Sequence, residues 1–245
     1  LASIRAGKVI TRTIRFPEGW TFTMWRESFK SHPLLDNKLA GYTDYSLMRL
    51  LGQEGMHPEG QFFPDTYTYQ KGDTDISILI RAHQRMRDVL EAEWSSRTEH
   101  NVFANSQEAL ILASIIEKET AWEPDRMRVA AVFVNRLKKK MKLQTDPTVI
   151  YGIDDFDGNL RRKDLRTKTP YNTYIIPGLP PTPICNPGLS SIKAALQPIT
   201  SNNYYFVARG DGTSEFSETL AQHNRAVTRF QKSGKIKDYR STPSQ

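Results

Sequence analysis

Eight apolar or small residues, "ALILASII" at 109–116, run directly into two glutamates, Glu117 and Glu119. The spacing of the apolar side chains predicts a helix, and Ser106 ahead of the run is a suitable helix cap. This stretch constrains the fold because a carboxyl group that ends such a run either lies at the edge of a core or serves chemistry. The first question is therefore which of these roles each glutamate has.

The two glutamates lie two residues apart, so on a helix their side chains point about 200° apart and cannot both line one cleft. This excludes a joint acid and nucleophile of the usual glycosidase kind. The helix face of Glu117 also carries Leu110, Ala113, Ser114 and Ala121, whose mostly small side chains leave room for a ligand. The face of Glu119 is typical of a core, with Leu112, Ile115 and Ile116.

We therefore predict that Glu117 is a general acid at the apolar rim of a cleft, where burial favours the protonated form. Glu119 is then predicted to be a buried partner that needs an Arg, Tyr or backbone donor. A structural alternative stays open, in which both glutamates simply end a buried helix and pair with nearby Lys or Arg side chains.

A second polar cluster lies in "LQTDPTVIYG" at 143–152. Asp146 precedes a proline, which favours an extended backbone at this position. Gln144, Thr145 and Asp146 together offer donors and acceptors in a fixed geometry, and Tyr151 follows. Such a set suits hydroxyl-rich and amide-rich ligands such as sugars. A helix cap formed by Thr145 or Asp146 is the structural alternative.

The third cluster is "TPYNTYIIPGLPPTPICNPG" at 169–188, within a long stretch rich in Pro, Gly, Thr, Asn and Tyr. Long irregular segments inside a compact region are usually functional or disordered, and the aromatic and Asn content here indicates ordered loops. Tyr171, Asn172 and Tyr174 combine flat aromatic surface with an amide group, which also suits a saccharide. Ordinary packing and turn formation is the alternative for these residues.

The chain carries a net charge of +7 and has a sequence pI near 9.4, which favours anionic partners, although a merely soluble basic surface is favoured over any one such partner. Cys185 is the single cysteine, and no histidines have metal-ligand spacing, so we predict no metal and no cofactor. No apolar run approaches the roughly 20 residues needed to span a bilayer. Because the chain begins at Leu1, we expect a fragment or a processed form.

The order of elements predicts an α+β fold with two domains, divided just before a long helical pattern at 73–96. The first domain, residues 1–72, is a small mixed unit. The second, residues 73–245, is mainly helical and contains a hairpin at 204–217 and a closing basic helix from about 219 to 232.

Several segments together resemble the YceG-like endolytic murein transglycosylases. They occur in the family's order and cover most of residues 59–230: "EGQFFPDTYTY", "LASIIEKET", "VAAVFVNRL", "LQTDPTVIYG", "YNTYIIPGLPPTPICNPG", "YYFVARGDG" and "LAQHN". The segment "TIRFPEGWTFTMWRESF" further resembles the LysM-like part that precedes the family's catalytic domain.

This resemblance implies a lysozyme-like catalytic domain that cleaves the β-1,4 bond between N-acetylmuramic acid and N-acetylglucosamine inside peptidoglycan strands, leaving 1,6-anhydro ends. It implies that the catalytic residue is Glu117. It also implies a set of residues in or around the cleft, namely Glu119, Gln144, Asp146, Tyr151, Tyr171 and Asn172. One departure from the family pattern is Ser214, where the family often has His.

The resemblance further implies an upstream anchor in the inner membrane, a periplasmic location, and peptidoglycan synthases as partners. It also implies that the protein limits the length of nascent strands. A lytic route needs one carboxyl group, which first acts as acid and then as base. A non-catalytic peptidoglycan-binding protein is the alternative function. Nucleic acid is not an expected partner, because no recognisable nucleic-acid-binding signature accompanies the positive charge.

Overall fold

The computed structural model describes residues 10–99 and 101–232 and has the predicted α+β composition; residues 1–9 and 233–245, the outer ends of the two predicted domains, lie outside the described residues. In the described chain the helices are α1 Phe22–Phe29, α2 Asp44–Leu50, α3 Asp75–Ser95, α4 Ser106–Glu119, α5 Glu123–Lys138, α6 Asp146–Tyr151, α7 Leu189–Leu196 and α8 Leu220–Val227. The strands are β1 Arg12–Arg15, β2 Thr66–Tyr69, β3 Tyr205–Ala208 and β4 Ser214–Ser217.

The first compact unit contains the described residues up to Val89 together with Cys185–Gly188. Its two strands pair antiparallel, with Arg15 of β1 opposite Thr66 of β2. Aromatic side chains fill the core beside this sheet, and the ring of Phe16 stacks on that of Trp25 at a centroid distance of 3.7 Å. Burying rings of this size supplies much of the apolar area that stabilises so small a unit.

The chain divides into its two units inside α3, after Val89, whereas the sequence predicted a division just before residue 73. The difference has a simple cause: Ile78, Leu79 and Ala82 of α3 belong to the buried core of the first unit. A long amphipathic helix can serve two cores along its length, and its sequence pattern does not show where one core ends.

The second unit contains residues from Leu90 to Ile184 and from Leu189 onwards, and the predicted helix of the apolar run, α4, lies in its core. All eight residues of 109–116 are buried, and α4 packs against α5 and α7. The N-cap is Asn105 rather than the predicted Ser106, because the Asn105 side chain accepts the backbone N–H of Glu108. An Asn at this position satisfies one of the free N–H groups of the first helical turn.

The C-terminal part of this unit also follows its sequence prediction. Strands β3 and β4 form an antiparallel hairpin, with Phe206 opposite Phe216. Helix α8 begins after Thr219, which forms a capping box with Gln222. A π-helical turn at Thr228–Lys232 continues it.

Candidate active site

A cavity of about 570 Å³ in the second unit contains one of the two glutamates, Glu119. Its polar lining comes from segments far apart in sequence and includes Glu119, Arg136, Gln144, Asp146, Tyr174 and His223. Its apolar wall includes Phe133, Leu143, Tyr205, Phe206 and Val207. A concave site with apolar walls and a few convergent polar groups is the usual form of a ligand pocket.

Glu119 is the last residue of α4 and lines the cavity, and the chain turns to an extended conformation at Thr120. The Thr145 hydroxyl donates a hydrogen bond to Glu119 Oε1. Burial raises the pKa of Glu119 to about 7, and the negative charge of Asp146 adds to this rise, against the opposing effects of Thr145 and Arg136. A carboxyl group that titrates near neutral pH can both give and take a proton there.

Arg136 of α5 forms hydrogen bonds to two separate backbone segments next to the cavity. Its Nε donates to Tyr204 O at 2.7 Å, and its Nη1 donates to Leu143 O at 2.8 Å and to Lys142 O at 3.2 Å. The side chain is buried, so these charge-assisted bonds form away from water. Arg136 therefore fixes the backbone next to the site and places a positive charge near Glu119.

Thr173 joins the two loop segments that the sequence singled out. Its carbonyl oxygen accepts the N–H of Gln144 at 3.2 Å, and its hydroxyl oxygen accepts the N–H of Thr145 at 3.1 Å. The next residue, Tyr174, donates its hydroxyl to Asp146 Oδ1 at 2.6 Å. Burial and this hydrogen bond raise the pKa of Tyr174, so it remains a donor across the ordinary pH range.

Glu117, the residue predicted to be the acid, does not line this cavity. Its Oε2 lies 3.8 Å from Arg126 Nη1, and the two side chains are only 8% and 7% exposed. The small residues on its helix face leave room for protein rather than for a ligand: Ser114 is fully buried and its Oγ accepts the N–H of Ile184 at 3.0 Å. The geometry therefore favours a structural ion pair for Glu117.

Three other predicted site residues also lie outside the cavity lining. The rings of Tyr151 and Tyr171 meet edge to face at 4.9 Å, and the Tyr171 hydroxyl lies 2.8 Å from Thr182 Oγ1. Asn172 is fully buried, donates its amide to Thr167 O and accepts the N–H of Tyr174. Asn172 thus shapes the loop that carries Tyr174, and a direct contact with substrate is not available to it.

Sequence reasoning did not assign Arg136, Tyr205 or His223 to the site. Arg136 lies three residues after Phe133 and four after Val132, so it shares their buried face, and an Arg in such a stripe was the available signal. His223 stacks on Tyr205 at 5.2 Å, and burial, together with the charge of Arg136, lowers its pKa. Its place in the site depends on how α8 packs against the hairpin, and no local pattern predicts that packing.

Ser214 stands where the family often has His, and it lies at the edge of the cavity. Its backbone N–H donates to Asp125 Oδ2 at 2.7 Å, so this position anchors the hairpin to α5 through its main chain.

Within residues 10–99 and 101–232, no group of His, Cys, Asp and Glu side chains is arranged to hold a metal ion. Over the same residues, none of the helices combines the length and the hydropathy that a membrane crossing requires.

Comparison with known proteins is consistent across sequence and structure. The model of the YceG-like family matches residues 1–229. The endolytic murein transglycosylase of Bacillus subtilis (strain 168) is 41% identical over 175 residues, or 71% of this chain. The protein of the same name from Streptococcus pneumoniae (strain D39) is 32% identical over 175 residues, or 69% of this chain.

A crystal structure of a YceG-like protein from Listeria monocytogenes superposes with a TM-score of 0.71 at 32% identity, over 90% of this chain and 77% of that one. The chain spans 48% of the length of the Bacillus relative and 31% of that of the Streptococcus relative. The family match covers nearly the whole chain and includes the segments that build the cavity. The chain therefore belongs to the YceG-like family.

Proposed function

We propose that this protein is a lytic transglycosylase that cleaves murein glycan strands internally, and that Glu119 is its acid and base. The observation that carries the proposal is a carboxyl group with a pKa near 7 in a cavity of sugar-binding size and polarity. The names of the two curated relatives support the same reaction and substrate.

The proposed reaction needs one carboxyl group. Protonated Glu119 gives its proton to the glycosidic oxygen as the C1–O bond breaks, and the substrate's own N-acetyl group stabilises the positive charge at C1. The carboxylate of Glu119 then removes the proton of the C6 hydroxyl of the same sugar, whose oxygen bonds to C1. This closes a 1,6-anhydro ring, returns the proton to Glu119 and consumes no water.

The choice of Glu119 over Glu117 rests on access. The carboxyl group of Glu119 lines the cavity beside Gln144 and Asp146, whereas that of Glu117 lies 3.8 Å from the guanidinium of Arg126. A general acid must reach the atom that it protonates, so geometry is the first criterion.

The wider assignments belong to the same proposal. A LysM-like first unit, a lysozyme-like second unit, an upstream inner-membrane anchor, a periplasmic location, synthase partners and control of strand length are what membership of this family leads us to expect. The mainly helical composition of the second unit supports the lysozyme-like part.

The product decides the reaction type. Purified protein is incubated with uncrosslinked glycan strands, and the released fragments are weighed by mass spectrometry. We expect 1,6-anhydro ends, which are lighter than reducing ends by one water molecule. Reducing ends would mean hydrolysis, and no release at all would favour a peptidoglycan-binding protein without activity.

The pH dependence of the rate should follow the protonation of Glu119. Because the acid must carry its proton, we expect the rate to fall about tenfold per pH unit above pH 7. Asp146→Asn removes a negative charge that raises the pKa of Glu119, so the falling limb should move to lower pH. Initial rates measured between pH 5 and 9 give the falling limb of the unmodified protein and that of the variant.

A matched control is Asp155→Asn, which removes the same charge from an exposed position outside the cavity lining. Its pH profile should coincide with that of the unmodified protein. Equal shifts in the two variants would mean that the overall charge of the protein, rather than the proximity of Asp146, determines the pH at which the rate falls.

A further inference from the structure

Gln144 has a backbone conformation that residues with a side chain usually avoid. Its φ angle is +51°, in the left-handed region, and Lys140 is the other described residue apart from glycine with a positive φ. A β-carbon crowds the following carbonyl oxygen in this region, so glycine is normally preferred. An outlier of this kind at a cavity is a reason to look for a function.

The surrounding contacts hold Gln144 in this conformation. Its N–H donates to Thr173 O, and Arg136 binds the carbonyl oxygens of the two residues that precede it. The result is a sharp change of direction: Thr145 is buried and turns its hydroxyl to Glu119, while Gln144 is exposed and lines the cavity. The conformation thus presents an amide side chain to the cavity that the carboxyl group of Glu119 also lines.

The orientation of this amide follows from its neighbour. Arg136 Nη1 lies 3.5 Å from Gln144 Oε1, and a guanidinium can only donate hydrogen bonds. The oxygen of the amide therefore faces Arg136, and the NH₂ group points away from it. Among the described residues, this NH₂ group has no hydrogen-bond partner, so its donors are available at the cavity.

We propose that the Gln144 side chain recognises the N-acetyl group of a glucosamine unit of the substrate, with Nε2–H donating to the acetamido carbonyl oxygen. The inference rests on the proposed action on murein strands, whose sugars carry these groups. A carbonyl oxygen is the strong acceptor that a free amide donor requires. Gln144 is thereby a substrate-binding residue whose strained backbone aims its side chain.

Two substitutions distinguish the effect of losing the Gln144 side chain from the effect of changing its backbone strain. Gln144→Gly and Gln144→Ala both remove the amide, but alanine keeps the β-carbon that is strained at a φ of +51°, whereas glycine removes it. We expect Tm to be near that of the unmodified protein for the alanine variant and no lower for the glycine variant. We expect KM for glycan strands to rise about tenfold in both, since one hydrogen bond to substrate is lost.

The control is Lys140→Gly, which relieves the backbone strain of the other left-handed residue. Lys140 is exposed and lies outside the cavity lining. Its KM should be unchanged. The proposal is overturned if Gln144→Gly keeps the KM of the unmodified protein, because the amide would then make no contact.

The substrate side of the contact is tested with strands whose glucosamine units have been de-N-acetylated. The unmodified protein should process them with kcat/KM about tenfold lower, and Gln144→Gly should show little further loss. If both proteins lose activity equally on these strands, Gln144 does not bind the acetyl group. If the unmodified protein releases no anhydro products even from fully acetylated strands, the proposed function fails, and that result is separate from a failure of the Gln144 assignment.

Discussion

Glu119→Gln is expected to reduce release of anhydro products from glycan strands about 10³-fold, with strand binding retained. Glutamine has nearly the same shape and can still accept the hydrogen bond of the Thr145 hydroxyl, but it has no proton to give to the glycosidic oxygen. The measurement is the initial rate of product release by mass spectrometry, together with sedimentation of the protein with insoluble peptidoglycan.

The loss of activity should not come from unfolding. The pKa of Glu119 is about 7 in the folded chain, against a usual value of 4.5, so the folded state binds more protons between these pH values. The contribution of this group to stability is therefore lost as pH rises through that window. Glutamine does not ionise, so above pH 7 Glu119→Gln should raise the free energy of unfolding by about 1–3 kcal/mol.

The matched comparison is Glu117→Gln, two residues away on the same helix. This change weakens the buried pair with Arg126, so we expect lower stability but a rate within about tenfold of the unmodified protein. A folded Glu117→Gln protein without activity, beside an active Glu119→Gln protein, would restore Glu117 as the acid. Full activity in both variants would contradict a carboxyl-based mechanism.

Arg136→Met is expected to cause the largest loss of stability, about 3 kcal/mol or more. Methionine fills much of the volume of arginine but donates no hydrogen bond, so it leaves carbonyl oxygens of Tyr204, Lys142 and Leu143 without their donor. The bond to Leu143 O is buried, and a buried acceptor that loses its partner costs far more than an exposed one. The denaturant midpoint, with the m-value checked for constancy, measures the change.

Lys138→Met is the control, because Lys138 is an exposed cation on the same helix, and its replacement should change stability by less than about 0.5 kcal/mol. Arg136→Lys keeps the charge but not the planar fork, so its stability should fall between the other two. A normal unfolding midpoint for Arg136→Met would show that the three carbonyl contacts are replaced by water at little cost.

Local patterns predicted the elements of this fold well, since the apolar run is a buried helix and the Gly210-Asp211-Gly212 turn joins a hairpin. They also singled out Gln144 and Asp146, while Glu119 was placed in the cleft only by the family resemblance. The structure brings all three into the lining of one cavity. The boundary inside α3 was not predictable, because the helix continues its pattern from one core into the next.

Periodicity by itself determined that Glu117 and Glu119 point in opposite directions, because 3.6 residues per turn fixes their angle wherever the helix lies. The tertiary structure alone decided which of them reaches the cavity. Small side chains near Glu117 admit the backbone of Ile184, and Arg126 neutralises the buried carboxylate. Glu119 ends the helix just beyond its apolar face, where chain segments from far along the sequence leave space for a ligand. A helix sequence specifies its faces, but the segments that pack against each face decide which one remains open to substrate.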